Sequence, residues 1–382
     1  MLGLAMAAGA AMVAAPPAVA ADDIVIGGSI PMTGVFAFAG VGIHAGIGDY
    51  VKIVNDAGGI KGRKIKYVYE DTGYKVDASV AAFQKLTSQE KPNFYYGDST
   101  GFSKTINPEL ERNGNILMAG ASFASELNDP QKYPYQFMAG PDYTAMFGVL
   151  LRYIQKTQPG AKVAFVHSDT EFGRDPIKPS TALAASLGLK VVETIVTPPG
   201  SVDVSTEVLK LRRADPDFTI FHGYVLAPIP EFITQARQMN MKSRFMGTFW
   251  SMDHSMVMKL GDVGEGFMGV MPYRYYYDTD PKAPMLAKIR QMRPEYQSTA
   301  YMQGFVTAML FVEAAKRCVE SGKELNGKNL KGCLNGIKDF DTGGLFGVPI
   351  TVSGNSIPVG RVYRADMKAK TMVPVSDWIK AE

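Results

Sequence analysis

Between Asp22 and about residue 270, short β-rich apolar runs alternate with helical stretches, and this alternation limits what the chain can fold into. "DIVIGGSI", "KIKYVYED", "NFYYG", "GNILMAG", "KVAFVHS", "KVVETIV", "DFTIFHG" and "RFMGTF" read as strands. Between them, "AGIGDYVKIVNDAGG", "VDASVAAFQKLTSQ", "TAMFGVLLRYIQKT", "STALAASLG", "STEVLKLRRA" and "PEFITQARQMN" read as helices. Repeated β-α units with apolar strands imply parallel sheets covered by helices on both faces. The pattern changes near residue 270. An aromatic extended segment, "YRYYYDTDPKAP", leads to the long apolar helix "YMQGFVTAMLFVEAAKRCVE", and the end reads as short antiparallel strands. Two β-α-β domains joined by more than one crossing strand account for this order.

At 382 residues the chain is too long for one ordinary core and suits two. Its formal charge is +3 with no basic block, which argues against nucleic acid as a partner. The first 21 residues are uncharged, rich in Ala, Gly, Met, Leu and Val, and end in Ala18-Val19-Ala20. That resembles the apolar core and small-residue cleavage site of a secretory signal, although its basic start is missing. Pro16 and Pro17 interrupt it, which disfavours a membrane anchor. The two cysteines, Cys318 and Cys333, are either a local disulfide or two buried thiols.

Catalytic and cofactor signatures are mostly missing. There is no phosphate-binding G-x-x-x-x-G-K-[ST], no H-E-x-x-H and no Cys/His zinc spacing, so no cofactor or metal is expected. "GVGIHAG" falls one residue off the dinucleotide fingerprint and reads as a turn with close backbone approach. Gly97-Asp98-Ser99-Thr100-Gly101 is a literal G-x-S-x-G, the nucleophile elbow of α/β-hydrolases when a strand enters and a helix leaves. Only two strands precede it and no oxyanion loop does, although His167, His222 and His254 follow. The alternative is a binding loop. Ser99, Thr100, Gly101 and Ser103 present hydroxyls and N–H groups at a helix start, and Ala121, Ser122, Phe123 and Ser125 form a similar loop after the next strand. Capping alone would also explain these residues.

"IVIGGSIPMTGVFAFAG", "VNDAGGIKGRKIKYVYED", "SDTEFGRD", "DFTIFHGY" with "ITQARQM", and "RFMG" resemble type I periplasmic solute-binding proteins of the branched-chain amino acid class, over nearly the whole chain after residue 21. The resemblance implies two Rossmann-like α/β lobes with parallel sheets and a three-crossing hinge. It implies lobe 1 at 22–140 plus 273–350, and lobe 2 at 141–272 plus 351–382. It implies a monomeric periplasmic protein that traps a small ligand and presents it to an ABC permease, with Ser99 in a clamp loop and no catalytic residue.

The family pattern is not followed everywhere. Amino-acid-binding members carry a Ser or Thr where Phe123 stands and a Glu, for the ammonium, where Phe249 precedes Trp250. The large aromatic of the "TGVFAFAG" loop is matched by Ala39, with Phe36 and Phe38 nearby, while Phe172 and Tyr224 match the family. Burying an ammonium without a carboxylate would cost several kcal/mol, roughly the penalty of an unpaired buried charge. A cleft of Phe38, Phe123, Phe172, Tyr224, Phe249 and Trp250 therefore suits an aromatic acid, with Ser99, Thr100, Gly101, Ala121 and Ser122 around its carboxylate. The alternatives are a branched-chain amino acid or amide, with Asp253 or Glu171 as ammonium partner, and a serine esterase using Ser99.

Overall fold

The computed structural model describes residues 23–381, so the expected signal segment at 1–21 lies outside the described residues. The first sheet contains β1 (Ile24–Ile30), β2 (Ile65–Asp71), β3 (Phe94–Gly97) and β4 (Leu117–Gly120), all parallel, in the order β2-β1-β3-β4. The second contains β5 (Lys162–His167), β6 (Lys190–Val196), β7 (Phe218–His222), β8 (Arg244–Gly247) and β9 (Met268–Met271), parallel in the order β9-β8-β7-β5-β6. It continues beyond β9 with antiparallel β10 (Val359–Asp366) and β11 (Thr371–Pro374), and β12 (Ile379–Lys380) pairs with β10. The strands β3, β4, β7 and β9 are buried along their whole length, as parallel strands covered on both faces must be.

The chain passes between the two sheets three times. It leaves the first sheet after β4, returns after β9, and crosses again before β10. The return is made by the helix Thr299–Glu320, whose N-terminus is capped by Ser298, its Oγ accepting the Tyr301 N–H at 3.2 Å. This helix is buried on all sides from Thr299 to Val312, which its apolar sequence requires. It packs along the helix Ala37–Asp56 with the backbones almost in contact. A side chain at Gly46 would come within 2.2 Å of the Tyr301 carbonyl, and one at Gly304 within 2.4 Å of the Ile43 carbonyl. "GVGIHAG" is thus helical, not the turn its glycines suggest, and close approach is what those glycines provide.

Gln303 in the same long helix is fully buried and fixes the ends of two neighbouring strands, β3 and β4. Its amide donates to the Gly120 carbonyl at 2.8 Å, and its carbonyl accepts from the Tyr96 hydroxyl. Cys318 and Cys333 are joined by a disulfide with Cα atoms 5.7 Å apart, tying this helix to the following one, Gly327–Asn335.

Candidate functional site

The loops at the carboxyl ends of the parallel strands face one another across the gap between the sheets, where open α/β sheets place their ligands. They enclose a narrow slot of about 30 Å³, well below the usual volume of a small-molecule pocket. The first lobe contributes Pro31, Phe36, Ala39 and Ile43 from the segment after β1, Tyr74 after β2, Asp98, Ser99 and Thr100 after β3, and Ala121 after β4. The second contributes Tyr143, Phe172, Val225 and Trp250.

Ser99 has extended backbone (φ −152°, ψ 159°) and caps the short helix Thr100–Thr105, its Oγ accepting the Phe102 N–H at 3.2 Å. That is a relaxed cap, unlike the strained turn of a nucleophile elbow. The histidines make their hydrogen bonds elsewhere. His222 is fully buried between the Thr248 hydroxyl (2.7 Å) and the Phe172 carbonyl (2.8 Å), and burial lowers its pKa to about 3. His167 bonds the Ser168 carbonyl at 2.8 Å and His254 the Lys370 carbonyl at 3.3 Å. Thr100 and Ser122 share a hydroxyl–hydroxyl bond of 2.9 Å, and Ser122 Oγ also accepts the Ala124 N–H at 3.2 Å.

Among the residues expected at the site, Ser99, Thr100, Ala121, Phe172 and Trp250 line the slot. Phe123 and Phe249 stand behind Trp250, their rings 5.6 Å apart and 6.3 and 4.7 Å from the indole. Ser122 is one bond removed, through Thr100. Tyr224 is fully buried, its hydroxyl donating to the Thr197 carbonyl at 3.0 Å. Phe38 lies on the helix Ala37–Asp56 outside the lining, and Gly101 faces Val76.

Three rings that sequence reasoning left out complete the walls. Phe36 rather than Phe38 faces the slot and packs on Tyr74 with centroids 4.2 Å apart. Tyr143 packs on Phe172 at 5.1 Å. Trp250 spans the lobes, its Nε1–H donating to the Ala121 carbonyl at 3.1 Å; the Tyr143 hydroxyl reaches the same carbonyl at 3.4 Å.

The carboxylates are distributed differently from expectation. Asp253 is fully buried and committed to structure. Its Oδ2 accepts from the Thr299 N–H (2.9 Å) and the Tyr296 hydroxyl (3.1 Å), while its Oδ1 accepts from the Ser255 N–H (2.9 Å) and hydroxyl (2.6 Å). Glu171 is half exposed, in ion pairs with Arg174 and Lys104. Neither lines the slot. Asp98 does, at 1% exposure, and burial pushes its carboxyl pKa upward against hydrogen bonds from Thr72 and Ser79. The lobes are further tied beside the slot, where Asp175 Oδ2 accepts from the Ser125 N–H (2.8 Å) and hydroxyl (2.9 Å), with Lys104 3.8 Å from the other oxygen.

Residues 23–371 match the family model described as "Periplasmic binding protein". A curated relative, the leucine-specific-binding protein of Salmonella typhimurium, is 24% identical over 238 residues, covering 61% of this chain and 63% of the relative. The match therefore spans less than two thirds of that protein. A branched-chain amino acid ABC transporter protein from Thermus thermophilus with bound valine superposes with a TM-score of 0.86 at 22% identity, covering 94% of this chain and 97% of that one. A solute-binding protein from Rhodopseudomonas palustris BisB5, in complex with 3,4-dihydroxybenzoic acid, gives 0.79 at 18% identity, covering 94% and 98%. At these identities the superpositions establish the shared fold. The family model, matched across almost all of the described chain, establishes more: the protein is a member of the periplasmic binding protein family.

Proposed function

We propose that this protein is the extracytoplasmic solute-binding component of an ABC importer and that it traps a small aromatic acid between its lobes. One observation carries the reading: the slot is walled by the rings of Phe36, Tyr74, Tyr143, Phe172 and Trp250, with the hydroxyls of Ser99 and Thr100 at one place on the wall. Facing rings favour a flat apolar body, and hydroxyl donors favour a carboxylate. A structural neighbour in complex with 3,4-dihydroxybenzoic acid supports the same ligand class. In this reading the ligand touches Ser99, Thr100, Ala121, Phe172 and Trp250, while Ser122, Phe123 and Phe249 hold those residues in place. The protein works as a monomer in the periplasm, after loss of residues 1–21, and its closed form docks on a membrane permease. Its lobes comprise 22–140 with 273–350, and 141–272 with 351–382.

A second reading, branched-chain amino acid binding, is favoured by Asp98, a carboxyl in the slot wall that could face an ammonium. The names of the relatives support it as well.

A thermal-shift screen separates the two. A ligand that binds only the folded state adds about 2.7 kcal/mol of stability at a hundred times its dissociation constant. Aromatic carboxylates are expected to raise the melting temperature at micromolar to millimolar concentration, and leucine, isoleucine and valine to leave it unchanged. The reverse pattern would return the protein to the amino-acid class. Ester turnover that disappears in Ser99→Ala would instead make it a hydrolase.

A further inference from the structure

Asp98 is the one ionisable carboxyl among the described residues lining the slot. Its Oδ2 receives the hydroxyl of Thr72 and that of Ser79, the latter at 2.8 Å. Its Oδ1 is buried without a hydrogen-bond partner among the described residues. A buried carboxyl oxygen left in this state is unfavourable, so a group that reaches it from the slot is strongly preferred. Among the described residues, no Lys, Arg or His lines the slot to neutralise a charge there. An ionised Asp98 would therefore repel an incoming carboxylate in a site of low dielectric.

Asp98, Ser99 and Thr100 are consecutive, and each has its accepting side occupied from within the protein. Ser99 Oγ accepts the Phe102 N–H, and its own proton can turn to the neighbouring Asp98 carboxyl or into the slot. Ser122 Oγ accepts the Ala124 N–H and can donate to Thr100 Oγ1, which frees the Thr100 proton in turn. Asp98 Oδ2 is held by the Thr72 hydroxyl and by that of Ser79, whose one proton is shared with the Lys75 carbonyl at 2.9 Å, whereas Oδ1 is unpartnered and is the place for a proton.

We propose that Asp98 meets the ligand as a neutral acid, its Oδ1–H donating to the ligand carboxylate beside the hydroxyls of Ser99 and Thr100. Three O–H donors from three consecutive residues then hold one carboxylate with no cation in the site, and above the pKa of ligand-free Asp98 binding takes up one proton from solvent. No covalent bond to the ligand forms or breaks. This inference rests on the carboxylate reading above.

Burial raises the proton affinity of Asp98, in the direction the proposal requires. The titratable groups whose charge would reach it are the phenols of Tyr74, Tyr95 and Tyr96, each also raised by burial and so neutral in the working range. From the helix Val76–Glu90 the group in contact is Ser79, which does not titrate. An ammonium fits less well, because it brings three donors and needs three acceptors. The Ala121 carbonyl on the wall is already taken by Trp250 and Tyr143.

Titration calorimetry with benzoate between about pH 5 and about pH 9, in paired buffers of different ionisation heat, counts the proton. Wild type is expected to take up about one proton per benzoate once pH exceeds the pKa of ligand-free Asp98, its affinity then falling about tenfold per pH unit. In Asp98→Asn the amide N–H replaces the acid proton and the amide oxygen still accepts from Thr72 and Ser79. Its benzoate affinity should be flat with pH, without proton uptake, and tighter than wild type at about pH 9. Benzoate binding to wild type that is flat over the whole range and takes up no proton would remove this role from Asp98 and leave the carboxylate reading standing. Leucine binding that is lost in Asp98→Asn, or no benzoate binding at any pH, would overturn both. Should the variant fail to fold, the proton count on wild type decides alone.

Discussion

Trp250 connects the two lobes through a single directed bond, its indole N–H on the Ala121 carbonyl, while its ring forms part of the slot wall. Trp250→Phe keeps an aromatic wall and removes the donor. One neutral hydrogen bond is worth about 1 kcal/mol, so the variant should bind its ligand about fivefold more weakly, read by titration calorimetry, with little change in melting temperature when empty. A loss of stability with unchanged affinity would place Trp250 in the core instead. At this scale the sequence was only partly informative. Ser99, Thr100, Phe172 and Trp250 could be placed because each follows a strand end, and the carboxyl ends of parallel strands converge. Tyr74 and Tyr143 reach the slot from loops whose path depends on tertiary packing, and nothing in their local sequence announces it. Phe36 and Phe38 are two residues apart. The helix Ala37–Asp56 starts between them, so Phe36 faces the slot from the position preceding the helix while Phe38 rotates away with its first turn. Asp98 stood in plain view inside G-D-S-T-G. Nothing in that motif tells a carboxyl that faces the slot from one turned to the core, and Asp98 lies on the opposite lobe from Phe249.

The strand–helix alternation was legible because parallel strands buried on both faces need continuous apolar runs, and those runs are short and bounded by turn residues. The antiparallel end was legible for the opposite reason, since β10 and β11 alternate in burial. The helix Ala37–Asp56 was not fully legible. Its four glycines lower intrinsic helicity, and what restores it is burial against the helix Thr299–Glu320, a contact between residues distant in sequence. The disulfide belongs to this scale also. Cys318 and Cys333 are 15 residues apart, and a closed loop of that size contributes about 3 kcal/mol by constraining the unfolded chain. Replacing both by Ser should lower the unfolding free energy by about that amount in a urea titration while the ligand affinity stays the same, because the bridge lies on the first lobe away from the slot. A change below about 0.5 kcal/mol would mean that packing of the two helices alone sets their geometry.

The molecule as a whole is two β-α lobes crossed by the chain three times, with the slot lined from both. Lobe 1 supplies the carboxyl and the aliphatic hydroxyls that line the slot, and lobe 2 supplies mainly rings. In the proposed reading a carboxylate ligand engages lobe 1 by its charged end and lobe 2 by its apolar body, and both must be present for it to be held. The bonds from Trp250 to Ala121 and from Ser125 to Asp175 form only when the lobes are together. Ligand binding and closure are in this way coupled, each stabilising the other. The measurement that addresses this account most directly is a crystal structure of the protein grown with benzoate. The account predicts density between the lobes, with the carboxylate within hydrogen-bond distance of Asp98, Ser99 and Thr100 and the ring among Phe36, Phe172 and Trp250. An empty slot, or a carboxylate held away from these three residues with Asp98 facing some other group, would contradict it.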